Sequence, residues 1–178
     1  GFEGDVCVDS NAEEVESGWI SRFDRLGCRD VDKDGYSDPT ADWISHPEGF
    51  ADAFPSDASQ WYDTDNDGFG DNMEYYDGQA WRLAYRGDGC RTTYGLSTFD
   101  RWGCPDSDED GWSDPTPYWL ASPGGMGDAW PDDPTQWHDG DGDGRGDNPS
   151  GTTADVCPSQ PGTSVGPSSG GDRWGCPD

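Results

Sequence analysis

Basic residues are scarce in this sequence. Its 178 residues carry 10 Lys and Arg against 38 Asp and Glu, a formal net charge of -28. That balance argues against nucleic acid as a partner, because phosphate contacts need clustered Lys and Arg. Apolar residues are also few, 30% of the chain with a mean hydropathy of -1.01, whereas Gly numbers 27 and Pro 14. Such a chain cannot bury enough apolar surface to offset the entropy of ordering its backbone. No apolar run approaches the roughly 20 residues of a membrane span, so membrane insertion is not expected. No signal peptide is visible. The two histidines, His46 and His138, sit near no cysteine at ligand spacing, and no Cys-x-x-Cys is present, which leaves no zinc pattern. Catalysis finds little support either. No carboxylate has an apolar setting that would make it a general acid, and neither histidine has a Ser or Cys partner placed by motif. Both histidines read as exposed, and an enzyme is not expected.

What is present in place of a core is a repeated acidic loop. Asp106, Asp108, Asp110, Gly111 and Asp114 share one short segment, with acids at positions 1, 3, 5 and 9 and glycine at 6. The pattern recurs at Asp30, Asp32, Asp34, Gly35 and Asp38. It recurs again at Asp63, Asp65, Asp67, Gly68 and Asp71, and at Asp139, Asp141, Asp143, Gly144 and Asp147. Solvation alone does not demand Asp at every second position, so the spacing points to carboxylates converging on a hard cation. Calcium takes six to eight oxygens at roughly 2.3–2.6 Å, and such a loop adds a backbone carbonyl at position 7. Those carbonyls belong to Tyr36, Phe69, Trp112 and Arg145. Several Ca2+ ions are therefore expected, each cancelling part of the self-repulsion.

Six cysteines, an even number, fit a disulfide framework in an oxidising compartment, which places the chain outside the cell or on its surface. Six allow fifteen pairings. An internal repeat narrows them. Cys104, Asp106, Trp119, Asp128, Gln136, Trp137 and Asn148 follow Cys28, Asp30, Trp43, Asp52, Gln60, Trp61 and Asn72 at a constant offset of 76. Repeat symmetry then selects Cys7–Cys28, Cys90–Cys104 and Cys157–Cys176. The units are expected at 1–86, 87–153 and 154–178, the last reading as the start of a further, truncated repeat. Stacked repeats contact mainly their neighbours. The expected fold has little regular secondary structure: an elongated, calcium-stabilised, disulfide-stapled tandem array with a few short helices. Helices are expected over 11–23, from the capping box at Asn11 and the apolar face of Val15, Trp19, Ile20 and Phe23, and over 73–86.

Tandem Asp-x-Asp-x-Asp-Gly-x-x-Asp loops with interspersed cysteines resemble thrombospondin type 3 repeats, in the versions found in secreted prokaryotic surface proteins. Gly70-Asp71-Asn72, Gly146-Asp147-Asn148 and the Asp52–Asp57 and Asp128–Asp133 segments carry the likeness as well. It covers about two-thirds of the chain. The resemblance implies a calcium-wrapped stalk, spacer or adhesin segment outside the cell; self-association into filaments is expected separately, from the periodic contacts that rows of Trp in a repeat array offer. The resemblance also adds Asp52, Asp57, Asp128 and Asp133 as further ligands. The segment between paired loops is larger than a minimal type 3 repeat, and the cysteine spacing is irregular.

Other readings compete. Asp63 to Glu74 fits a twelve-residue EF-hand loop with Glu74 at the last position, but Ala41, Pro117 and Ser150 stand there in the other loops. Ten tryptophans could stack on sugars, which makes a carbohydrate-binding module using Trp and calcium the alternative function; the simpler role for them is bracing the loops. Arg86-Gly-Asp88 and Arg145-Gly-Asp147 spell an adhesion tripeptide in a chain where Gly-Asp is frequent. Residues 149–171, rich in Pro, Ser, Thr and Gly, read as a solvated spacer and possible O-glycan acceptor.

Overall fold

The computed structural model describes residue 7 and residues 20–76, 79–84, 86–164 and 174–177. The chain divides into two compact units, Gly1–Tyr94 and Gly95–Asp178. Regular secondary structure is nearly absent among the described residues: two strands, β1 (Glu74–Tyr76) and β2 (Trp81–Leu83), form one antiparallel hairpin in the first unit. Their register pairs Glu74 with Leu83 and Tyr76 with Trp81. This corrects the helix expected over 73–86. Tyr75, Tyr76 and Trp81 are residue types that favour a pleated strand. No helix occurs among the described residues. Residues 11–19 of the other expected helix lie outside the described residues, and Ile20 pairs with Arg29 in an isolated bridge.

Isolated bridges do the work that sheets do elsewhere. Thr40 pairs with Trp43 and Ser45 with Ala51 in the first unit; Thr116 with Trp119 and Ala121 with Gly127 in the second. Each bridge pinches the segment between an odd-numbered and an even-numbered acidic loop. No helix among the described residues is long and apolar enough to cross a membrane.

The interior is polar. Among the described residues the buried hydrophobic side chains are Cys28, Ala51, Cys104 and Cys176 alone, while the largest fully buried ones include Gln60, Gln136, Asp52, Asp88 and Asp128. Gln60 shows how such a core is held. Its Oε1 accepts the Asn72 amide at 2.9 Å and its Nε2 donates to the Asn72 carbonyl at 2.8 Å. Gln136 repeats both bonds with Asn148, each at 3.1 Å. Buried polar groups are tolerable when paired in this way. Disulfides supply the second support. Cys7–Cys28 and Cys157–Cys176 are bridged, with Cα–Cα distances of 5.0 and 5.1 Å. Cys90 and Cys104 are disulfide-bonded too, and no cysteine is free.

Aromatic side chains pack on one another beside the loops. Tyr36 and Trp61 are stacked with centroids 5.2 Å apart, and Trp112 and Trp137 with centroids 6.3 Å apart. Phe23 leans on Tyr36 and Phe99 on Trp112. Each column joins position 7 of an odd loop to the residue two places before the next loop's first acid.

Candidate metal centre

All four acidic loops adopt one backbone course. Position 4 has positive φ whatever its side chain: Lys33 at 72°, Asn66 at 63°, Glu109 at 64° and Gly142 at 81°. Position 6 follows at 85° to 104° and is glycine each time, because a side chain there would strain the left-handed turn. These two reversals curl the amides inward onto the first acid. In the first loop the Lys33 amide donates to Asp30 Oδ1 at 2.7 Å and the Gly35 amide to Oδ2 at 2.9 Å. Asp63, Asp106 and Asp139 receive the same two bonds.

The curl brings positions 1, 3 and 5 together. Asp30, Asp32 and Asp34 each offer an oxygen within 4.8 Å of the others, as do Asp63, Asp65 and Asp67, Asp106, Asp108 and Asp110, and Asp139, Asp141 and Asp143. The position 7 residues Tyr36, Phe69, Trp112 and Arg145 turn their amides back to the position 5 carboxylate at 2.7–3.0 Å. Position 9 behaves differently. Asp38 accepts the Val31 amide and pairs with Arg29, and Asp71 and Asp114 hold Thr64 and Ser107 through both amide and hydroxyl. Asp147 takes the Gly140 amide and His138 Nδ1. These four acids tie the loop ends together, outside the clustered triads.

A fourth carboxylate approaches each triad from a later segment. In the odd loops it is Asp52 and Asp128, and in the even loops Asp88 and Asp155. All four are placed alike. The amide of Asp52 donates to the Ser37 carbonyl, Asp88 to Gly70, Asp128 to Ser113 and Asp155 to Gly146, each time position 8 of its loop. One side-chain oxygen then accepts the amide two residues on: Phe54, Cys90, Trp130 or Cys157, at 2.6–2.8 Å. The other oxygen is buried without a hydrogen-bond partner. These side chains are 0–4% exposed. Asp88 and Asp155 escaped the sequence reading. The recurring Asp-x-Cys was a signal for them, but it read as part of the disulfide frame alone.

The remaining candidates are not members of the triads. Asp57 and Asp133 accept bonds from Ser59 and Thr135, and Thr135 with Thr152 holds the Asp133 carboxyl below its ordinary pKa. Glu74 is exposed in β1, outside the triad of its loop. His46, read as exposed, is half-buried, its Nδ1 2.8 Å from the Asp63 carbonyl oxygen. Ser122 Oγ makes the matching contact to Asp139 at 2.9 Å.

Electrostatically the clusters are frustrated. Burial, reinforced by neighbouring carboxylates, pushes Asp32 up to about 6, Asp34 to about 7 and Asp52 to about 8. The same causes raise Asp88 and Asp128 to about 7 and Asp110 to about 6, and also raise Asp65, Asp108 and Asp141. Buried carboxylate oxygens without partners recur in every cluster: on Asp32, Asp34 and Asp52, on Asp65 and Asp88, on Asp108, Asp110 and Asp128, and on Asp141 and Asp155. An uncompensated buried charge costs several kcal/mol. The donor set, all oxygen and all anionic, suits a hard divalent cation. No protein-family model matches the chain, and no curated protein matches its sequence.

Proposed function

We propose that the chain is an extracellular structural segment, a stalk, spacer or filament unit of the thrombospondin type 3 kind, made rigid by calcium. Bound ions take the place of a hydrophobic core, so occupancy of the loops sets whether the chain is ordered. One observation carries this reading. At each of the four clusters, buried carboxylate oxygens from positions 3 or 5 have no hydrogen-bond partner, and neither has one oxygen of a remote fourth aspartate whose charge acts on the same loop acids. Three acids from one loop and a fourth from a later segment would make each ion a cross-link between two stretches of chain. Metal binding then contributes folding free energy directly. External millimolar calcium is sufficient for sites of about 10⁻⁴–10⁻³ M, the range of extracellular modules. The disulfides suit an oxidising compartment. The stacked faces of Trp61 and Trp137, occupied by Tyr36 and Trp112, favour bracing over sugar binding.

Calcium titration by calorimetry on the oxidised chain, with circular dichroism and small-angle scattering before and after chelation, tests the proposal. Binding of about one ion per cluster, with loss of order on chelation, is expected. An unchanged conformation without calcium would overturn it.

A further inference from the structure

We propose that the Cys157–Cys176 disulfide forms a wall of the fourth cation site, so that its redox state and the occupancy of that site are linked. This rests on the calcium reading above. Two arms of the disulfide-closed ring reach the site. On the first arm, the Cys157 amide donates to Asp155 Oδ1 at 2.7 Å and the Gly162 amide to Asp143 Oδ2 at 3.1 Å. On the second arm, Gly175 lies so close to Asp155 that a Cβ there would stand 2.0 Å from Oδ1. The arms are stitched together where the Val156 amide donates to the Trp174 carbonyl at 2.9 Å. The Arg145 guanidinium, at position 7 of the loop, covers the Trp174 ring at 4.7 Å.

Asp155 is 4% exposed and its Oδ2 has no hydrogen-bond partner, so it is the group an ion would draw inward. The ring fixes it there from both sides. The odd sites differ, since Asp52 and Asp128 rest on the amides of Phe54 and Trp130.

A dithiol reductant would attack the bridge by thiol–disulfide exchange. It gives up two electrons and two protons, Cys157 and Cys176 become thiols, and the reductant leaves as its own disulfide. Cys176 is fully buried, so the exchange needs the second arm to lift away from Asp155. A bound cation opposes that opening. By reciprocity, opening the bridge lowers affinity for the cation by the same factor by which the cation disfavours the reduced state at equilibrium.

The experiment follows reduction of each disulfide in the oxidised full chain by dithiothreitol. Timed alkylation and peptide mapping are applied with calcium and with chelator. Calcium at roughly ten times its Kd should slow reduction of Cys157–Cys176 about tenfold. Asp155→Asn should lose most of that protection and leave the protection of Cys7–Cys28 unchanged. A Cys157→Ser/Cys176→Ser chain should bind one ion fewer by calorimetry. Equal reduction rates with and without calcium, full protection in Asp155→Asn, or an unchanged ion count in the double variant would each overturn the linkage. If calorimetry on the wild-type chain detects no calcium binding, the functional reading fails as well. If calcium binds but the rates do not move, only the linkage fails.

Discussion

At the scale of single residues, the four remote aspartates separate ligand geometry from mere acidity. Asp88 and Asp57 are both acids beside a cluster, yet Asp88 keeps a buried oxygen without a partner while Asp57 Oδ1 is bonded by Ser59. Asp88→Asn should therefore weaken calcium binding at the second site about tenfold or more, since ligand charge sets affinity in oxygen cages. Asp57→Asn should leave the ion count unchanged. Calorimetric titration of the two variants side by side checks this. Sequence spacing reached the twelve triad acids because their order in the loop is also their order in space. It could not reach Asp88 and Asp155. Their distance from the loop varies from unit to unit, and what places them is a backbone bond to position 8 that no side chain announces. Gly35, Gly68, Gly111 and Gly144 were legible for the opposite reason, since a left-handed turn leaves its mark on residue choice. The equal left-handed turn at Lys33, Asn66 and Glu109 left no such mark.

At the scale of the loop, the raised carboxylate pKa values set a pH dependence whose sign depends on calcium. Without cation, the folded loop holds protons up to about pH 6 to 8 on Asp32, Asp34 and Asp52, whereas the unfolded chain releases them near the ordinary value of 3.8. The folded state binds more protons in that window, so its stability falls as pH rises from about 4 to about 8. On the proposed calcium reading, the ion would compete for the same oxygens. Its apparent affinity should climb across the window, with proton uptake on chelation. Thermal melts and calcium titrations at about pH 5, 6.5 and 8 should show the two trends running in opposite directions. The one regular element among the described residues, the β1–β2 hairpin, lies between Asp71 and Asp88 and lengthens the path to the fourth carboxylate without displacing it. It was misread as helical because apolar residues over 73–86 satisfy both periods in so short a stretch. The strand preference of the aromatic residues was the better guide.

At the scale of the whole molecule, charge and composition foretold how little apolar surface the described residues bury, and the burial of Gln60, Gln136 and seven aspartates among them follows from that lack. Gln60 and Gln136 themselves were visible only as repeat positions, since nothing in a glutamine's neighbours says that it will bridge a remote asparagine. An interior of amides and carboxylates has one more effect, on temperature. The heat capacity change of unfolding comes chiefly from hydrating apolar surface, and exposing polar surface lowers it. Scanning calorimetry of the calcium-loaded chain should give a value well below the usual 12–15 cal/mol/K per residue. The stability curve would then be broad and shallow, and cooling would weaken the fold far less than it weakens a greasy one.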